Sequence, residues 1–447
     1  MTKIALMLLA GATVSTAALA DNTAMSRDEV RSMVSEMLSD AQTRSSLLQG
    51  GGMAGYDGGF VIGSADGNWK VKMNGLIQFR YIADFRDDDD ASVDDDFVNG
   101  FQLRKARITF SGNAVNPNLT YFIAFETNNS RQNSSTTTDV DGDGDPTTGP
   151  QVTVPGNGGD WIANDVWFAY NLGDGWKIRG GQYKVGWLKE ELLSEKNTLA
   201  MERGVMNQFF SQGRSQGVGF VYESNDWKWS FDYTDGFNSA NTDINNPNEA
   251  EYALSGRGEF KWAGDWKQLE DYTSKPGDAN AGSVGFAAAW QRIGSEPAAG
   301  NTFWGLTGDV QWEGNGWSVF AAAVWTNTEV NGAGNSDFND WGFTAQVGYR
   351  WSETSELFAK VDGLILDGDR IPANSDDNKY WITFGYNHYF AGQAAKFTVD
   401  CIWALNDSAG LAQVQPGGNS GLGTNYGLVG QADSGEFALR AQFQLAF

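Results

Sequence analysis

Residues 69–81 read WKVKMNGLIQFRY. Trp69, Val71, Met73, Ile77, Phe79 and Tyr81 share one parity, and Lys70, Lys72, Asn74, Gln78 and Arg80 share the other. Successive side chains of a strand point to opposite faces, so this is a strand with one apolar and one charged face. The alternation returns in NLTYFIAFET (118–127), WKWSFDYT (227–234), TFWGLTGDVQWE (302–313), DWGFTAQVGYRW (340–351), YWITFGYNHYF (380–390), AKFTVDCIWALN (395–406) and EFALRAQFQLAF (436–447). The whole set comes to about sixteen strands of about 8 to 14 residues, the length and antiparallel logic of a transmembrane barrel.

A soluble β-sandwich also alternates, and three features separate the two. Short turns such as GDG (173–175), SND (224–226), GNG (314–316), SETS (352–355) and AGQA (391–394) interleave with long polar connections at 83–98, 128–160, 187–215 and 407–434. Outer-membrane barrels have short periplasmic turns and long external loops. Trp176, Trp227, Trp262, Trp312, Trp317 and Trp351 crowd the short-turn rim on the apolar parity, where an amphipathic indole prefers a membrane interface. The last strand presents Phe437, Leu439, Ala441, Phe443, Leu445 and terminal Phe447 as one outward row, which resembles the signal read by the outer-membrane assembly machinery. In a closed barrel its edge pairs with the first strand. The expected fold is therefore all-β, a 16-stranded antiparallel transmembrane barrel in a bacterial outer membrane.

Composition removes other function classes. The 447 residues carry a formal charge of −25, which argues against nucleic acid as a partner. Cys401 and His388 stand alone in their residue types, so an internal disulfide, a His/Cys zinc site and a Ser-His-Asp triad lack their raw material. His388 shares the parity of Ile382, Phe384 and Tyr386 and is expected to face lipid. No catalytic residue and no cofactor is expected.

The N-terminus, MTKIALMLLAGATVSTAALA (1–20), has the form of a cleaved secretory signal. Residues 21–49 open on the capping box Ser26 to Glu29 and continue with a narrow apolar stripe, which predicts a periplasmic helix, either leaning on the barrel or forming a short coiled coil. Residues 50–58 read as a glycine-rich linker, and 59–447 as the barrel.

With the apolar parity on lipid, the other parity lines the lumen. Away from strand ends it holds fourteen bases (Lys70, Lys72, Arg80, Arg104, Arg107, Lys177, Arg179, Lys228, Arg257, Lys261, Arg350, Lys360, Lys396, Arg440) against ten acids (Glu126, Asp165, Glu223, Asp232, Glu259, Asp309, Glu313, Asp362, Asp400, Glu436). A wall with a surplus of four positive charges biases which ions pass; the other reading is a ladder of cross-strand ion pairs that fills the lumen without selectivity. The densest cluster is FQLRKARITFSG (101–112), whose parity slips so that either Arg104 or Lys105 turns inward through a bulge. Segment 187–215 breaks the two-residue rhythm and is too apolar for an external loop. It is expected to fold into the barrel and narrow it, with Lys189, Lys196, Arg203 and Arg214 opposed by Glu190, Glu191, Glu195 and Glu202; a small external helical cap is the other reading.

At these residues the chain resembles the phosphate-selective porin O and P family, from about Gly59 to Phe447. The resemblance rests on GFVIGSADGNWKVKMNGLIQFRY (59–81), FQLRKARITFSG and GGQYKVGWLKEELLSEKNTLAMERG (180–204), in that order within a barrel. It implies a water-filled channel for small ions and solutes, phosphate among them, a homotrimer, and a third loop forming an eyelet. It also implies Arg104, Lys105 and Arg107 as anion contacts, with Lys184 and Lys189 flanking the eyelet. The candidate pore-lining set is Lys70, Lys72, Arg80, Arg104, Lys105, Arg107, Lys177, Arg179, Lys184, Lys189, Arg203 and Arg257. Against phosphate selectivity stand the mixed wall and an eyelet with as many acids as bases; a general small-solute channel is the other reading.

The acidity lies outside the wall. RDDDDASVDDDF (86–97) reads as an external loop, and TTTDVDGDGDPTTG (136–149) spaces Asp139, Asp141, Asp143 and Asp145 as a calcium loop would, yet Pro150 stands where an EF-hand needs glutamate. Such loops suit divalent bridging to lipopolysaccharide phosphates. They also define the alternative function, an adhesive or structural outer-membrane protein with cation-binding loops.

Overall fold

Lipid cannot satisfy the free hydrogen-bonding groups of a sheet edge, so a lipid-facing sheet has to close on itself. The computed structural model, which describes residues 52–87, 96–127, 136–139, 151–154, 161–244, 250–293, 300–331, 336–370, 376–407, 425–430 and 433–447, shows that closure. Its strands are β1 (Met53–Tyr56), β2 (Phe60–Gly63), β3 (Lys70–Phe85), β4 (Phe97–Ala114), β5 (Asn116–Thr127), β6 (Thr136–Asp139), β7 (Gln151–Val154), β8 (Trp161–Gly173), β9 (Trp176–Tyr183) and β10 (Ser215–Glu223). They continue with β11 (Trp227–Thr234), β12 (Ala250–Ala263), β13 (Ala281–Ile293), β14 (Thr302–Gly314), β15 (Trp317–Val330), β16 (Ser336–Ser352), β17 (Ser355–Ile365), β18 (Asn378–Tyr389), β19 (Ala395–Ala404) and β20 (Phe437–Ala446). Sixteen of these, β3 to β5 and β8 to β20, form an antiparallel barrel that closes where β20 pairs with β3, from Phe437 opposite Phe85 to Ala446 opposite Leu76. β6 and β7 make a separate hairpin inside the connection from β5 to β8. No described helix is long and apolar enough to cross a membrane; the crossing is made by strands.

The outward parity is apolar as expected. Trp176, Trp227, Trp262, Trp317 and Trp351 are exposed at the short-turn rim, with Trp312 half-buried. Aromatic neighbours brace them: the Trp317 and Tyr349 rings lie 4.4 Å apart, and Trp227 stacks on Trp229. The terminal residue completes the seam. Phe447 exchanges both main-chain hydrogen bonds with Gly75, at 2.8 and 3.0 Å, and its ring lies where a Cβ on residue 75 would stand.

Two boundaries differ from the sequence reading. The stretch read as a linker contains β1, which pairs with β2, and β2 pairs with Lys70–Met73 at the lower end of β3. Below Leu76 the barrel's last strand has run out, and the hairpin satisfies the edge it leaves. β3 also runs to Phe85, so Asp84 belongs to the wall: it is buried and pairs with Arg86 at 3.2 Å. The expected signal and helix (1–49), most of the RDDDDASVDDDF stretch (88–95), and Asp141, Asp143 and Asp145 lie outside the described residues, and of Asp139 only the backbone is described.

The lumen holds more than polar side chains. Inward Ala287, Ala289, Val324, Leu364, Trp381 and Ile402 build an apolar floor that takes the loop after β9. One connection on the short-turn rim, 264–280, is long and turns inward as well. Its Leu269 and Tyr272 are buried, and Tyr272 packs on Phe320 with ring centres 4.8 Å apart.

Candidate functional site: the eyelet loop and the open side of the lumen

The loop 184–214 is seated by its apolar residues. Trp187, Leu188, Val205, Met206, Phe209 and Phe210 are buried on the floor, and the Trp187 indole donates to the Phe210 carbonyl at 3.1 Å. Two helical turns, Lys189–Leu192 and Val205–Phe209, aim these residues at the wall. Polar tethers then fix the height. Lys189 meets Glu259 and Glu190 meets Lys360, both at 2.6 Å; Asp400 accepts the Met201 amide at 3.1 Å, and the Tyr426 hydroxyl donates to the Arg203 carbonyl at 2.7 Å. The Gly204 amide donates to both oxygens of Glu190, and a Cβ at that position would overlap the Asp362 carboxylate.

Across the lumen the loop faces the basic cluster of β4. The pairing of β3 with β4 shifts at Arg104: Gln78 stands opposite Lys105 and Phe79 opposite Leu103. The bulge therefore turns both Arg104 and Lys105 inward, where the sequence reading left one or the other. Each is met by a carboxylate. Glu202 receives Arg104 at 2.6 Å and Arg80 at 2.9 Å. Glu195 receives Lys105 at 2.6 Å, Arg107 at 2.7 Å and Arg203 at 2.9 Å. Glu126, on the wall, takes Lys105 at 2.8 Å and also Arg107. Glu191 binds Arg203 at 2.9 Å and Lys184 at 3.1 Å.

These pairs decide ionisation in the loop. Burial works to raise the Glu202 carboxyl, but Arg104 and then Arg80 outweigh it and hold it at about 2. Glu191 is likewise brought to about 2, against its burial, by Arg203 and Lys184. Glu195 lies well below the usual carboxylate range, Lys105 and Arg203 overcoming its burial. Lys184 goes the other way: burial first, then the nearby Arg203, push its ammonium down to about 7 although Glu191 opposes them.

Accessibility divides the lumen. Lys360 and Glu190 keep 2 % of their side chains exposed, whereas Asp165 and Lys184 keep 15 % and Arg179 keeps 19 %. The filled side lies along β12 to β20 and the open side along β4, β5, β8 and β9. On the open side a cavity of about 600 Å³ lies beneath the loop, lined among others by Lys72, Asn74, Arg107, Asp165, Lys196 and Glu270. Neither Lys72 nor Lys196 has a carboxylate partner among the described residues.

The sequence candidates therefore separate into groups. Arg80, Arg104, Lys105, Arg107, Lys184 and Arg203 gather around the loop carboxylates. Arg179 lies on the open side, paired with Asp232 at 2.8 Å and with its guanidinium 3.9 Å over the Tyr183 ring. Lys70, Lys72 and Lys177 stand near the short-turn rim. Lys189 and Arg257 are locked on the filled side, Arg257 against Asp309 at 2.8 Å and Glu259 at 2.9 Å. Glu195 and Glu202 were legible as loop acids but not as partners of the β4 cluster. Among the described residues no group of His, Cys, Asp and Glu is disposed to hold a metal ion.

A family model described as phosphate-selective porin O and P matches residues 76–416, well over half of the chain. The chain belongs to this family. This porin is accordingly an outer-membrane channel for small ions and solutes, in the bacterial outer membrane, and its family and fold point to a channel rather than an enzyme. Two solved structures agree on the fold. The outer membrane channel DcaP of Acinetobacter baumannii is 13% identical, with a TM-score of 0.53, 88% of this chain covered and 100% of that one. The Salmonella typhi OmpF complex with daunomycin is also 13% identical, with a TM-score of 0.54 and coverages of 88% and 100%. An anion-selective porin from Comamonas acidovorans is 12% identical, with a TM-score of 0.49 and coverages of 84% and 99%. No curated protein sequence matches the chain.

Proposed function

We propose that this porin passes small ions and solutes by diffusion with a modest preference for anions, and without a dedicated phosphate site. The observation that carries the reading is the pairing of the basic cluster: Arg80, Arg104, Lys105 and Arg107 each have a carboxylate within 2.9 Å, so the residues that would grip phosphate are already occupied. What remains is a small cationic excess where Lys72 and Lys196 outnumber Glu270 on the open cavity. Fixed charge beside a narrow aqueous path enriches counter-ions, and a small excess enriches them weakly.

The assembled form we propose is a homotrimer. The family resemblance supports it. Lipopolysaccharide surrounds the barrel, and the Phe447 terminus is what the assembly machinery reads. His388, whose ring shares a 3.2 Å hydrogen bond with Tyr386 on the outward parity, is not available for catalysis in the lumen.

Phosphate competition in planar bilayers tests the selectivity. Added at constant ionic strength, phosphate is expected to lower the chloride current only in proportion to the ions it replaces. Block at far lower concentrations would establish a dedicated site and overturn the proposal.

A further inference from the structure

We infer that Glu195 and Glu202 of the eyelet loop set the ion selectivity of this porin, by standing as resident carboxylates in the oxyanion positions of its basic cluster. The inference rests on the channel reading above and names the residues that determine its specificity.

The geometry is that of a ligand in a site. Glu202 accepts from Arg104 through both Nε at 2.6 Å and Nη2 at 3.2 Å, the fork arrangement that matches guanidinium to a planar oxyanion, while Arg80 forms an ion pair with it, Nη1 lying 2.9 Å away. Glu195 bridges Lys105, Arg107 and Arg203. Counting the cluster, Arg80, Arg104, Lys105, Arg107, Lys184 and Arg203 are six basic groups, and Glu126, Glu191, Glu195 and Glu202 are four acidic ones. The loop alone supplies three of those four. Without the charges on Glu195 and Glu202 the same cluster would hold six against two, with cationic groups facing the open side.

These two glutamates are separable from the loop's attachment. Trp187, the Glu190–Lys360 and Lys189–Glu259 pairs and the Met201–Asp400 hydrogen bond hold the loop elsewhere. Glutamine keeps the shape and one acceptor while removing the charge.

The test compares zero-current potentials of the full-length wild type and E195Q/E202Q across a potassium chloride gradient in planar bilayers. The double variant is expected to raise the chloride-to-potassium permeability ratio on the order of tenfold, and its conductance in potassium phosphate is expected to saturate with concentration, where the wild type rises linearly. R104Q, which leaves Glu202 intact, is expected to shift the potential in the cation direction and serves if the double variant fails to assemble. An unchanged potential in an assembled, conducting double variant overturns the inference, as does an anion-ward shift in R104Q. A silent wild type would overturn the channel reading instead, so the two failures are distinct.

Discussion

At the scale of the residue, parity told which side chains face the lumen, and the inward Arg80, Arg107 and Arg257 follow it. It could not tell how deep they lie or what meets them, because a partner 98 residues away leaves no trace in a period of two. Arg104 shows the limit: the slip in parity was visible, but only the register shift opposite Phe79 reveals that both Arg104 and Lys105 enter the lumen. Lys184 carries a prediction of its own. Its ammonium sits at about 7, below the ordinary lysine value, so its charge is present at pH 6 and lost as pH rises through that value. Zero-current potentials should therefore become less anion-selective between pH 6 and 8, and K184M should lack this step; a wild-type potential flat across that range contradicts the assignment.

At the scale of the element, the eyelet loop was legible from its apolar content, since Trp187, Val205, Met206, Phe209 and Phe210 have no place in water. The inward fold of 264–280 was not legible, because WAGDWKQLEDYTSKPGDAN offers too few apolar residues to set it apart from an ordinary turn. Trp187 is wholly buried between Phe237 and Phe303, and W187A removes a large side chain at a cost of about 3–5 kcal/mol. The loosened loop should show as protease cleavage within 184–214 and as larger, noisier channel openings, while the barrel remains heat-resistant. Retention of wild-type conductance and protection would mean that the polar tethers alone hold the loop.

At the scale of the whole molecule, the sixteen strands, their alternating connections and their rim of tryptophans were all present in the sequence. The β1–β2 hairpin was missed, because a glycine-rich segment gives little periodic signal even when a free strand edge recruits it. Closure makes its own prediction. Phe447 locks β20 to β3 at Gly75, so deleting Phe447 or making G75V should lower the yield of folded barrel in the outer membrane severalfold, read by heat-modifiable mobility in gels; equal yields would remove that seam from the account. The barrel is open to ions yet keeps only a small cationic excess where its basic cluster meets the eyelet. The zero-current potential of the wild-type porin across a potassium chloride gradient tests this most directly. A steady ohmic current with a small anion-ward potential is the result expected, and a cation-selective potential, an ideally anion-selective one, or no current at all would contradict it.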